Sequence, residues 1–190
     1  MPANKIVVIL KGSPRPKGNS SVLADQVARG AMEAGALVES FMLHDMDIRP
    51  CDACDACREM GGGVCMIKDD MQILYPKLAA ASAILIASPV YWFNVSAQTK
   101  LCLDRWYALG SAEENLLSGK SFGVVMTYED ADPFVSGAVN ALRSLQDMIR
   151  YIHADLVGMV YGSARNVGDV LKLPDVMEKA YQLGRELALR

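Results

Sequence analysis

The chain has 190 residues, enough for one domain with a sizeable core, and its 52% hydrophobic and 22% charged residues are typical of an α/β protein. A net charge of −3 gives no broad basic surface, so neither nucleic acid nor an anionic membrane is an expected partner. The N-terminal apolar run holds five residues before Lys11, too short for a signal-peptide core, and the most apolar stretch, 78–93, is broken by Ser82, Ser88 and Pro89 and falls short of a membrane span. A cytoplasmic protein with reduced thiols is expected.

Ile6-Val7-Val8-Ile9-Leu10 is a continuous apolar run, the pattern of a strand buried on both faces. Asn19 or Ser20 can cap a following helix, whose Leu23, Val27, Ala31 and Ala34 recur every three or four positions until Gly35. Leu37–Leu43 reads as a strand, and the cysteine segment 51–65 then interrupts the pattern. Next come a helix over 69–81, a strand over 83–87 and a helix over 96–109 carrying Leu101, Leu103 and Trp106. A strand over 121–127 precedes a helix that opens at Asp132-Pro133 and carries Val135, Ala138, Leu142, Leu145 and Ile149. The last strand covers 156–161, and Pro174 opens a final helix with Met177, Tyr181 and Leu187. No repeat or linker divides the chain.

Five strands alternating with five helices require right-handed crossovers and a parallel sheet covered on both faces. The expectation is a single α/β domain over 1–190, a flavodoxin-like three-layer sandwich with strand order 2-1-3-4-5. A ligand crevice then lies beyond the carboxyl ends of the strands, at the switch between the first and third.

Gly12-Ser13-Pro14-Arg15-Pro16-Lys17-Gly18-Asn19-Ser20-Ser21 follows the first strand directly, a Gly- and hydroxyl-rich loop at a helix N-terminus, where backbone N–H groups and the dipole favour an anion. Ser13, Ser20 and Ser21 offer hydroxyls, Asn19 an amide, Arg15 a planar fork and Lys17 a further cation, a set that can coordinate a phosphate dianion. The loop is neither a Walker A sequence nor GxGxxG. A plain strand-to-helix turn with a serine cap is the alternative. The third strand ends in Ser88-Pro89-Val90-Tyr91-Trp92-Phe93-Asn94, and three consecutive aromatics cannot all enter one core. They offer flat walls for an isoalloxazine ring, or surface for an oligomer interface, and the two are compatible. Thr127 and Tyr128, ending the fourth strand, face the same crevice and either touch that ring or belong to an ordinary polar loop.

Together, GSPRPKGNSS and SPVYWFNVSAQTKLCLDR resemble the NADPH-dependent FMN reductase family, and more closely its iron-sulfur flavoprotein branch, over nearly the whole chain. The resemblance implies that Ser13, Arg15, Asn19, Ser20 and Ser21 hold the FMN phosphate and that Pro89, Val90, Tyr91, Trp92, Phe93 and Asn94 frame the isoalloxazine. Lys100, Asp104 and Arg105 also match the family pattern; their spacing reads as structural, with Lys100 and Asp104 pairing on one helix face.

Cys51-x2-Cys54-x2-Cys57-x7-Cys65 departs from the paired knuckles of structural zinc and resembles the ferredoxin run that wraps a cubane. Gly61-Gly62-Gly63 frees the chain to bring Cys65 back. A [4Fe-4S] cluster on Cys51, Cys54, Cys57 and Cys65 leads; a thiol or disulfide element and zinc stay open. Asp52 and Asp55 would lower the potential of such a cluster. Cys102 reads as core, and His44 and His153 as surface or capping residues.

The expected activity is FMN-dependent electron transfer: NAD(P)H or a protein donor supplies electrons, and a small-molecule or protein acceptor such as a quinone, free flavin or nitro compound receives them. No side chain need act as acid or base. The alternatives are a cluster-free NAD(P)H:quinone, flavin or azo reductase, a flavodoxin-like shuttle, and a thiol-based sensor. A homodimer or homotetramer is expected, by resemblance and from the aromatics at 91–93.

Overall fold

The computed structural model describes residues 5–63, 65–110 and 115–190. The first four positions of the N-terminal reading above lie outside the described residues. The strands are β1 (Ile6–Lys11), β2 (Leu37–Met42), β3 (Ala83–Tyr91), β4 (Asn94–Val95), β5 (Ser121–Tyr128) and β6 (Asp155–Ser163). The helices are α1 (Asn19–Glu33), α2 (Ala56–Glu59), α3 (Met71–Ala80), α4 (Ala97–Asp104), α5 (Ala138–Tyr151) and α6 (Pro174–Leu189), with short 3₁₀ turns at 43–45, 105–109 and 169–172.

The main sheet is parallel in the order β2-β1-β3-β5-β6, and β4 pairs antiparallel with the end of β3. This is the expected flavodoxin-like topology with one short strand added. The apolar run of β1 serves two cores because its side chains alternate across the sheet. Val8 and Leu10 pack with Leu74 and Leu78 of α3, Cys102 of α4 and Leu145 and Ile149 of α5. Val7 and Ile9 pack with Leu23 and Val27 of α1 and Leu183 and Leu187 of α6. Among the described residues no helix is long and apolar enough to cross a membrane.

Three boundaries differ from the sequence reading. β3 runs on to Tyr91, where Trp92 and Phe93 turn the chain at φ 47° and 67°. Left-handed conformation at two non-glycine residues costs about 1–2 kcal/mol each, offset by a turn whose twist matches the paired strands. The helix expected from Asp132 begins at Ala138, because the Asp132 carboxylate accepts from the N–H groups of Phe134 and Val135 and closes a local turn. Val135, expected on the apolar stripe, is exposed. The helix expected over 96–109 tightens to 3₁₀ geometry after Asp104.

α1 and α6 cross closely enough to demand glycine. A β-carbon on Gly184 would lie 2.0 Å from the Val27 carbonyl oxygen, and one on Gly30 would lie 2.1 Å from that of Tyr181. Backbone cannot yield as a flexible side chain does, so Gly184→Ala is expected to destabilise the fold by about 1–3 kcal/mol, read as a lower urea midpoint at unchanged slope.

Candidate functional site

The loops that follow β1, β5 and β6, with the carboxyl ends of β3 and β5 themselves, form a crevice of about 520 Å³ at the carboxyl end of the sheet. Its floor is the turn after β1. The Arg15 carbonyl gathers that turn, accepting from the Gly18 N–H at 2.9 Å, the Ser21 hydroxyl at 3.1 Å and the Ser13 hydroxyl at 3.3 Å. Gly18 is the N-cap of α1; no side chain caps this terminus and no acidic residue occupies its first turn. The helix therefore directs uncapped N–H groups and its positive dipole end into the crevice. Gly12 fixes the turn from behind. Its N–H donates to the Ala87 carbonyl at 2.7 Å, and its carbonyl accepts from the Ser96 hydroxyl at 2.7 Å. A β-carbon there would lie 1.8 Å from Thr99 Oγ1.

Ser13, Arg15, Asn19, Ser20, Pro89, Val90, Tyr91, Thr127 and Tyr128 all line this crevice. Burial, with smaller contributions from Tyr161 and Asp132, raises the Tyr128 phenol above its ordinary pKa, so it stays a neutral donor. The remaining expected residues are elsewhere. Ser21 is fully buried beneath the turn, and Lys17 is exposed outside the lining. Trp92 and Phe93 project from the β3–β4 hairpin tip, Trp92 with 93% of its surface exposed. The Asn94 carboxamide accepts its neighbour's N–H, from Val95. Neither the Trp92 nor the Phe93 side chain is part of the crevice lining. Asn19 is engaged within the protein: both of its amide hydrogens go to the carbonyls of Ala164 and Asn166, and its oxygen accepts from the N–H groups of Gly168 and Val170. Its side chain ties the loop after β6 to the phosphate-type turn and leaves only its main chain for an anion.

That loop is what the sequence reading missed. Ala164, Arg165, Asn166 and Val167 form a wall, and Arg165 pairs with Glu129 across the rim at 2.9 Å. The available signal was topological: every parallel strand delivers its carboxyl end to the same edge, β6 included.

The cysteine segment lies apart from this lining. All five cysteines are free; Cys51 and Cys54 are exposed, and Cys57 and Cys65 are buried. Ala53 and Asp55, in the 51–57 loop, adopt the left-handed φ of 56°. Burial, and then the nearby Cys65, push the Cys57 thiol above its ordinary pKa. Cys102 is core, as expected, and burial pushes its thiol up to about 12. Behind Cys65 stands an ion pair between Arg105 and Asp69, their side chains 1% and 0% exposed. Burial would raise the Asp69 carboxyl, but the Arg105 guanidinium and the N–H groups of Arg49 and Met71 outweigh it and hold it low. Arg105 Nη2 donates to Cys65 Sγ at 3.2 Å. Among the described residues, no three Cys, His, Asp or Glu side chains converge as ligands of a single metal ion. The donor set nevertheless suits an iron-sulfur centre in kind: four soft thiols, and beside Cys65 a buried Arg105 Nε–H with no acceptor among the described residues.

Fold and crevice together define a flavodoxin-like protein with an open site at the switch point of its sheet. The model of the NADPH-dependent FMN reductase family matches residues 4–168, and the chain belongs to that family. An iron-sulfur flavoprotein of Archaeoglobus fulgidus is 32% identical over 97% of this chain and 79% of its own length. An iron-sulfur flavoprotein of Methanocaldococcus jannaschii is 38% identical over 52% of this chain and 50% of its own, so that match spans half of the relative. The structure of an NAD(P)H:quinone oxidoreductase from Methanothermobacter marburgensis superimposes with a TM-score of 0.75 over 97% of this chain and 98% of its own at 17% identity, a likeness of fold.

Asn19→Ala would strip four hydrogen bonds from the junction of the two loops. The expected outcome is a loss of roughly 2–3 kcal/mol in urea denaturation, with faster amide exchange at 164–170 than at 83–87.

Proposed function

We propose that the crevice is the FMN site of an NAD(P)H-dependent electron-transfer oxidoreductase, the cofactor's phosphate seated on the turn after β1. The carrying observation is the uncapped α1 terminus, with Ser13, Arg15 and Ser20 around it, opening on a cavity of about 520 Å³. That volume suits a cofactor of this size. Arg15 would neutralise the phosphate by charge-assisted hydrogen bonds, with the N–H groups at the start of α1 completing its coordination. Pro89, Val90 and Tyr91 would hold one side of the ring, and Thr127 and the neutral Tyr128 would offer hydroxyls from β5. Bound FMN supplies exchange of one or two electrons, so it can couple a hydride donor to a one-electron carrier. The chain's part is to bind, orient and shield; no side chain is assigned a proton transfer. Donor and acceptor are small molecules or proteins that reach the exposed rim beside Tyr91.

Cys51, Cys54, Cys57 and Cys65 would hold a [4Fe-4S] cluster, which supplies single-electron transfer. The ferredoxin-like spacing, the thiol donor set and the names of the relatives support this reading. We further propose a cytoplasmic homo-oligomer, for which exposed Trp92, Phe93 and Phe134 provide apolar surface.

Protein purified without oxygen is expected to be coloured, with flavin absorbance and a broad shoulder near ~400 nm from thiolate-to-iron charge transfer. Well-folded material that stays colourless and refuses micromolar FMN would remove the flavin reading; flavin bands without iron or acid-labile sulfide would leave a cluster-free reductase. Arg15→Ala should weaken FMN binding about ten- to a hundredfold in a fluorescence-quenching titration, the worth of a charge-assisted bond, with unchanged thermal stability of the apoprotein.

A further inference from the structure

The buried Arg105–Asp69 pair lies outside the lining of the flavin crevice. Taking both ions out of water costs several kcal/mol apiece, and an apolar pair of similar volume would serve a core equally well. Its contacts converge instead on the cysteine segment. Arg105 Nη1 donates to the Arg49 carbonyl at 2.8 Å, just before Cys51. Nη2 donates to Cys65 Sγ at 3.2 Å and to Asp69 Oδ1 at 3.3 Å. Asp69 in turn accepts from the Arg49 N–H at 3.0 Å and the Met71 N–H at 3.1 Å. The Tyr75 hydroxyl donates to the Arg105 carbonyl at 3.2 Å, and Gln72 donates to the carbonyls of Cys65 and Ile67, each at 2.8 Å. Cys65 is thus held by its main chain and by its sulfur, and one guanidinium spans both flanks of the cysteine segment.

We propose that Arg105, clamped by Asp69, is a positioning residue for the cysteine centre: it fixes the Cys65 sulfur as the fourth ligand and favours the reduced state by donating N–H to that sulfur side. The proposal rests on the cluster reading above. Two physical consequences support it. A cluster with four thiolate ligands carries net negative charge, and adding an electron deepens it; hydrogen bonds and a cation at the sulfurs oppose that cost. Arg105 Nε, buried and without an acceptor among the described residues, is a further donor beside that sulfur. The rigid planar fork matters because lysine, a flexible point donor, cannot reach the Arg49 carbonyl, the Asp69 carboxylate and the Cys65 sulfur together.

The experiment compares full-length wild type, Arg105→Lys and the paired variant Arg105→Gln/Asp69→Asn, each purified anaerobically with FMN bound. The pairing removes both charges, so neither is left buried alone. Iron and acid-labile sulfide, the rate of iron release to a chelator and the midpoint potential of the centre are read alongside FMN content and far-UV circular dichroism. The expected result is iron release about ten- to a hundredfold faster and a more negative potential in the paired variant, at wild-type FMN content, with Arg105→Lys between the two. Release rates and potentials equal to wild type in both variants would overturn the role of Arg105 and leave the cluster standing. Wild type without iron or sulfide would overturn the cluster reading and this role with it. Should the paired variant not fold, Arg105→Lys decides the matter on the same readouts.

Discussion

Parallel neighbours cannot be joined by a tight turn, so the chain leaving β1 must cross a face of the sheet before it can return beside it. β1 has two such neighbours, β2 and β3. The helix leaving β1 lies on the face of Val7 and Ile9, while α3 and α4, on either side of β3, cover the face of Val8 and Leu10. The loops after β1 and β3 therefore part, and the gap between them becomes the crevice. Every feature of the site answers to that divergence. Gly12 lacks a β-carbon because Thr99 and Ser96, at the start of the helix after β3, pack against its backbone. The first turn of α1 has no side-chain cap, so its N–H groups face the gap.

Much of this was legible in the sequence because it is written in short-range pattern. Continuous β-branched runs mark strands buried on both faces, and a serine-rich turn before a 3.6-residue stripe marks a helix start that can hold an anion. What stayed hidden depends on partners distant in sequence. Nothing near Asn19 says that its amide will be spent on carbonyls more than 140 positions away. Asp132 followed by proline is as good a helix opening as a local turn; Gly137, left-handed at φ 74°, marks where α5 begins. The sequence of the aromatic triplet leaves open which of the three face a ligand and which face the surface. A two-residue turn splits it, leaving Tyr91 in the crevice and sending Trp92 and Phe93 outward. Arg105 looked like helix furniture beside the Lys100–Asp104 pair, which is present and exposed. Its burial with Asp69 follows from the chain's return past position 65, and no periodicity announces that.

α4 links the two regions of chemical interest. It begins at Ser96, whose hydroxyl holds the floor of the crevice through Gly12, and it hands over to Arg105, whose guanidinium holds the cysteine segment. Eight residues of α-helix span about 12 Å. The same short rod thus sets the position of the turn after β1 at one end and of Cys65 at the other.

The two sides of the crevice are braced separately. Asn19 binds the loop after β6 to the turn after β1. On the other side, Phe93 presses so tightly on Gly137 that a β-carbon there would lie 2.3 Å from its ring. Any side chain at 137 would consequently force the hairpin tip away from the entry to α5. Two separately braced walls thus frame the mouth, and the exposed Glu129–Arg165 ion pair is a contact that crosses its rim.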